Sequence, residues 1–261
     1  MTPPDASGFL GPGYGVHSLG DVVPAVAAAL GTPLGDAPSG LQLPPAPSYV
    51  VFLVDGLGAR LLDRYAHVAP YLSSLRRLAP ATAGIPSTTA TSLTSFGTAL
   101  PPGVHGVVGF SSWVPGTDRL LLTLQWDKAV DPVEWQPHPT AFDRLRGLGV
   151  AVTVVNRREF AGSGLTVAEH RGAEFVGADR VGERIAAAVT ATATTPSLTY
   201  LYDGDLDWTG HRYGVSSSQW LQQLAMIDAE AEQLREEIGR ATRLNSSHRC
   251  ISYAVFCLKK K

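Results

Sequence analysis

The chain has 261 residues, 44% of them apolar, and a formal net charge of −2, which suffices for a sizeable core in one α/β domain or two small ones. With Lys and Arg spread over most of its length, that charge carries no footprint for nucleic acid or an anionic membrane. No run of 18 apolar residues occurs and no basic-then-apolar leader opens the chain, so it reads as a soluble, cytoplasmic protein.

Residues 1–47 hold 17 glycines or prolines and read as loop, interrupted by a helix from Asp21 to Leu30 with Pro24 in its first turn and Gly31 as its stop. Tyr49–Val54 is the first core strand, followed directly by Asp55-Gly56-Leu57-Gly58. Ala59–His67 and Pro70–Leu78 read as helices, the second opening on its proline. The hydroxyl-rich run Ser87-Thr88-Thr89-Ala90-Thr91-Ser92 leads into a helix over Thr89–Leu100, closed by Pro101-Pro102-Gly103. Leu120–Trp126 alternates weakly and reads as a strand inside an insertion reaching Pro139. Thr140–Leu148 is helical in pattern, Val150–Val155 is a β-branched strand, and Asp179–Val189 is an alanine-rich helix. Ser197–Tyr202 is the next strand, running into Asp203, Asp205, Asp207 and His211. Ser217–Arg240 places Trp220, Leu221, Leu224, Ile227, Leu234 and Ile238 at helical spacing. Strands alternating with helices predict an α/β fold with a mainly parallel sheet flanked by helices.

Both cysteines, Cys250 and Cys257, and three of the four lysines fall in the last 12 residues. The expectation is therefore a body over residues 1–242 and a tail, 243–261, that is foreign to it, poorly packed and dispensable; a natural tail is the alternative. The body is free of cysteine, which excludes disulfides and thiolate metal sites there.

A buried strand has no structural use for a carboxylate at its C-terminal end, and open α/β sheets carry their chemistry at that edge. Asp55 alone is either such a site residue or a turn aspartate before Gly56. Asp207 and His211, four apart on a helical turn, face one way and offer a carboxylate oxygen and an imidazole nitrogen, a donor pair suited to Zn²⁺. Asp205 rivals Asp207 in register, while Asp203 ends the strand. A threonine on the first turn of a helix sits in the positive end of its dipole, which favours an alkoxide nucleophile, although Ser and Thr there are also ordinary caps.

The run from Gly84 through Thr89 to His105-Gly106 resembles the nucleophile region of the nucleotide pyrophosphatase/phosphodiesterase family of the alkaline phosphatase superfamily. Val50–Gly58 resembles that family's first metal-binding strand, and Asp207-Trp208-Thr209-Gly210-His211-Arg212-Tyr213-Gly214 its Asp-x-x-Gly-His-x-x-Gly motif. The resemblance implies an alkaline phosphatase-like fold, Thr89 as nucleophile, and Asp55, Thr89, Asp207 and His211 as ligands of two divalent metal ions, zinc by kinship. It implies a hydrolase of phosphodiester or pyrophosphate bonds acting on a small phosphoester through a phosphothreonine. Ala90 and Ser92 stand where the family often has an aromatic residue and an asparagine, so oxyanion stabilisation would need Ser92, a backbone N–H or another donor. The family's further Asp-His pair and last metal histidine have no counterpart after Ser217–Arg240, which implies a fold incomplete at its C-terminus and impaired activity. Sulfate-ester, phosphonate or phosphomonoester hydrolysis on the same scaffold, or a non-catalytic anion- or metal-binding fragment, are the alternatives. His105 is expected to be structural and the tryptophans to be packing groups, with an edge of the pocket beside Asp207 as the alternative for Trp208.

Overall fold

The structure is a computed structural model that describes residues 11–35, 40–75, 81–244 and 252–258. In chain order it forms α1 (Val22–Ala29), β1 (Ser48–Val54), α2 (Ala59–Arg64), α3 (Pro70–Ser74), α4 (Thr89–Thr98), α5 (Pro102–His105), β2 (Ser111–Trp113), β3 (Leu120–Leu122) and α6 (Pro132–Trp135). It continues with α7 (Ala141–Gly147), β4 (Ala151–Asn156), α8 (Gly164–His170), β5 (Glu174–Gly177), α9 (Val181–Ala191), β6 (Ser197–Asp203), α10 (Asp205–Tyr213), α11 (Ser218–Leu244) and β7 (Ser252–Leu258). Two compact units divide these elements: one takes residues 1–44, 78–149 and 159–173, the other residues 45–77, 150–158 and 174–261.

The second unit holds a five-stranded sheet in the order β5-β4-β6-β1-β7, with every pairing parallel. All seven residues of β1 are buried, as a strand covered on both faces requires, and its run of Val, Phe and Leu supplies them. On one side of the sheet, Val50, Phe52 and Val54 pack with Leu57, Leu62, Ile185, Leu201, Leu206 and with Trp220, Leu224, Ile227, Leu234 and Ile238 of α11. Five of the six apolar positions expected to face the core on that long helix are thus in it, and Leu221 packs at the margin. Asp228 on the same helix is also buried; its carboxylate accepts from the N–H groups of Tyr71 (3.1 Å) and Leu72 (2.7 Å), closing the first turn of α3.

Three expectations are corrected here. The tail was expected to be poorly packed, yet Ser252–Leu258 pairs with β1 from Ser48↔Ser252 to Val54↔Leu258. An apolar run met the edge of β1 that β6 leaves unfilled, and strand edges recruit such segments. The helix predicted over Ala59–His67 stops at Arg64, because Tyr65 leaves helical geometry and packs edge-on against Trp220, with ring centroids 5.3 Å apart. The helix predicted over Pro70–Leu78 ends at Ser74, where Leu75 turns extended; residues 76–80 lie outside the described segments.

In the first unit, α4 is buried from Ala90 to Thr98. A Cβ at Gly97 would run into the Glu169 carbonyl of α8, so glycine is what lets these two helices touch. Ala90, Val107, Leu121, Trp126, Val130, Leu165 and Ala168 form the neighbouring core. The strand expected over Leu120–Trp126 shortens to β3, which pairs antiparallel with β2; Trp126 then takes a positive φ of 21° and donates its indole N–H to Val130 O at 2.9 Å. Among the described residues no helix is long and apolar enough to cross a membrane.

Candidate active site

At the C-terminal edge of the sheet, β1 and β6 are neighbours with Val54 opposite Asp203, and the backbone N–H of Asp55 donates to Asp203 O at 2.8 Å. Two strand-end carboxylates therefore emerge side by side from the middle of a parallel sheet. Asp55 is fully buried and its two oxygens are held separately: Oδ1 accepts from Gly56 N–H (2.8 Å) and Oδ2 from the Tyr202 hydroxyl (2.9 Å). The turn and site readings of Asp55 are thus not exclusive, since the turn bond uses one oxygen only.

Gly56 takes a φ of +75°, and a Cβ on it would lie 2.7 Å from Asp207 Cα. Only glycine tolerates both demands, and the close approach brings the turn after β1 against the first turn of α10. Asp207 and His211 lie on that helix, with His211 Nε2 3.5 Å from Asp207 Oδ2. Two donor atoms on one tetrahedral zinc at 2.0–2.1 Å are about 3.3–3.4 Å apart, so the pair is spaced to share an ion. The rival is otherwise engaged: Asp205 Oδ1 accepts a hydrogen bond from Arg157 Nη2. Asp203 ends β6 as expected, with Oδ1 accepting from Asp205 N–H at 2.9 Å. The donor chemistry fits a divalent cation; the donor number is short, since among the described residues no group of three or more His, Cys, Asp or Glu converges on a point.

Thr89 lies in the other unit, as the first residue of α4. Its neighbours are committed elsewhere. Thr88 is the N-cap, accepting from Thr91 N–H and donating to Thr91 Oγ1 at 2.9 Å, while Thr91 and Ser92 are fully buried. Thr89 alone of the three threonines is both partly exposed and not the cap. Ser92 is fully buried and its Oγ has no hydrogen-bond partner among the described residues, so the hydroxyl offered for an oxyanion is inside the protein. His105 is structural: it is fully buried, its Nδ1 accepts from Val107 N–H (3.1 Å), and Nε2 faces Ser95 Oγ at 2.9 Å. Nε2 therefore carries the proton, and burial lowers the His105 pKa to about 4.

Sequence reasoning missed two features of this edge. Arg184 of α9 is buried between carboxylates, with Nε 2.9 Å from Glu230 Oε1 and Nη2 2.5 Å from Glu230 Oε2 and 3.1 Å from Asp203 Oδ2. Burial works against its charge, but Glu230 and Asp203 together outweigh that and raise its pKa. Desolvation in turn pushes the carboxyls of Asp203 and Glu230 upward, against the pull of Arg184. No sequence signal joins residues that far apart. The second feature is a cavity of about 440 Å³ bordered by Asp207 and His211, with Arg60 and Trp220 also in its wall. Trp208 does not line it and is not a core packing group either: it is exposed, beneath the guanidinium of Arg212, 5.4 Å from the ring centroid; the next residue on a helix is turned about 100° away.

The family model described as type I phosphodiesterase / nucleotide pyrophosphatase matches residues 49–248. Curated protein sequences return no match. Among solved structures, murine ectonucleotide pyrophosphatase/phosphodiesterase 5 is similar in fold, with a TM-score of 0.62 at 15% identity, over 80% of this chain and 55% of that one. The chain thus spans about half the length of that protein.

Proposed function

The chain belongs to the type I phosphodiesterase/nucleotide pyrophosphatase family of the alkaline phosphatase superfamily, and from that membership we propose that it hydrolyses phosphodiester or pyrophosphate bonds with Thr89 as nucleophile. Thr89 Oγ1 loses its proton to solvent and attacks phosphorus in line, the bond to the leaving oxygen breaks with its electron pair on that oxygen, and water then cleaves the phosphothreonine ester, returning a proton to Oγ1 and releasing the phosphorylated product. The observation that carries this reading is the position of Thr89 at the first residue of α4 beside a separate cap, which sets its side chain at the positive end of a ten-residue helix. Asp55, Asp207 and His211 would hold divalent cations, zinc by donor type. Bound cations would supply positive charge for the phosphoryl oxygens. Tyr202 and the Gly56 N–H fix the Asp55 carboxylate, and Gly56 lets Asp207 come close.

With fewer than three convergent donors among the described residues, cation affinity is low and occupancy follows free metal by mass action. Turnover of bis-p-nitrophenyl phosphate should therefore rise with added zinc, and Thr89→Ala should abolish it in kcat while leaving zinc content nearly unchanged. Retention of more than about a tenth of the activity, under about 1.4 kcal/mol of barrier, moves the nucleophile to Thr88, Thr91 or water. Faster turnover of the sulfate or phosphate monoester than of the diester replaces the substrate class. Zinc binding without any turnover leaves a metal-binding fragment.

A further inference from the structure

The cavity beside Asp207 and His211 is larger than one phosphoryl group needs. Its volume of about 440 Å³ corresponds to about fifteen waters and lies within the range of small-molecule sites. Leu61, Val215 and Trp220 make its apolar wall, and Asp207, His211 and Arg60 are its ionisable groups. Arg60 is exposed, in the first turn of α2. Among the described residues no ion pair engages its guanidinium, whereas Arg157, Arg158, Arg184 and Arg240 all have carboxylate partners. A guanidinium without a carboxylate, set in the wall of a cavity that also presents candidate cation ligands, is equipped to take an anion's oxygens in pairs.

We propose that this cavity is a substrate subsite in which Arg60 holds a negatively charged substituent of the phosphoryl group, so that Arg60 sets a preference for substrates carrying a second phosphate over diesters whose substituents are uncharged. The inference rests on the assignment of Asp207 and His211 to the phosphoryl site. It makes Arg60 a specificity residue and leaves the chemical step to others. Asp207, on the opposite side of the charge balance, disfavours an anion placed against it without a cation, which directs the second negative group toward Arg60.

Two measurements on the full chain test this. In zinc-containing buffer, Arg60→Met should lower kcat/KM for diadenosine diphosphate at least tenfold more than for bis-p-nitrophenyl phosphate, with the difference in KM. Arg64→Met, on the same helix with its guanidinium over the Tyr65 ring, should leave the ratio unchanged. In EDTA-treated buffer, where hydrolysis plays no part, calorimetric titration with methylenediphosphonate should show at least tenfold weaker binding to Arg60→Met than to wild type. Equal losses for both substrates, or equal diphosphonate affinities, overturn the subsite. Arg60-dependent diphosphonate binding in a chain that turns over neither ester keeps the subsite and removes the proposed reaction, so the two readings fail separately.

Discussion

Replacing Arg184 with Met removes a guanidinium while keeping most of its apolar stem. The side chain is 6% exposed, and the carboxylates it meets are more buried still, Glu230 at 2% and Asp203 at 1%. Removing one partner of a buried ion pair costs about 3–5 kcal/mol, because the remaining charge is left without compensation, and here two carboxylates lose a shared cation. At about 2–4 °C per kcal/mol for a chain of this size, the melting midpoint should fall by about 6–20 °C. The pH dependence has a definite sign. Desolvation already holds both carboxyl pKa values above their ordinary range, and loss of Arg184 raises them further. A carboxyl whose folded pKa lies above its unfolded value binds its proton more tightly when folded, so stability is gained as pH falls through the folded pKa. The deficit of Arg184→Met should be greatest near about pH 8 and shrink toward about pH 5, followed by urea unfolding with tryptophan fluorescence. A loss under about 1 kcal/mol, or a deficit that grows on acidification, refutes the argument.

Other perturbations probe the remaining elements. Gly56→Ala places a Cβ 2.7 Å from Asp207 Cα at a φ of +75° and should destabilise by about 2–4 kcal/mol through overpacking and backbone strain, with weaker zinc binding by equilibrium dialysis; a neutral effect would mean the turn after β1 moves freely. His105, held neutral with a pKa of about 4 against 6.5 unfolded, contributes stability that is complete above about pH 6.5 and is lost as pH falls toward 4, about 3 kcal/mol in all. His105→Gln should therefore show a shallower loss of melting temperature over that window, and parallel curves would contradict the assignment. Deleting residues 243–261 strips β1 of the strand on one of its edges and should lower the melting midpoint by more than a few degrees; an unchanged midpoint would return the tail to the dispensable role its composition suggests.

The elements that carry the candidate site residues were legible because those residues announce themselves locally. A Val/Phe/Leu strand ending in Asp55, a hydroxyl run opening an apolar helix at Thr89, and an Asp207/His211 pair one turn apart are each patterns within ten residues, and each lands on the element expected. The fold class was legible for the same reason, since β1, β4, β6 and α11 carry their periodicity in plain view. What was missed depends on partners distant in sequence or on segments too short to show a period. β5 has four residues and β2 three, and α8 begins on a glycine. The Arg184–Glu230 pair spans 46 positions and looks, in sequence, like two charges on solvated helix faces. The pairing of Ser252–Leu258 with β1 was misjudged because a strand's register is set by the edge it meets, which composition does not reveal. The cavity around Arg60 likewise exists only once α2, α10 and α11 are folded together.

The central claim is that Thr89 carries the phosphoryl group during turnover. Acid quenching of the zinc-supplemented chain during hydrolysis of bis-p-nitrophenyl phosphate, followed by peptide mass spectrometry, reads this directly. The account predicts a p-nitrophenyl phosphoryl group esterified to Thr89, absent from Thr89→Ala and lost when substrate is exhausted. Turnover with no modified residue, or with the p-nitrophenyl phosphoryl group on Thr88 or Thr91, would contradict it.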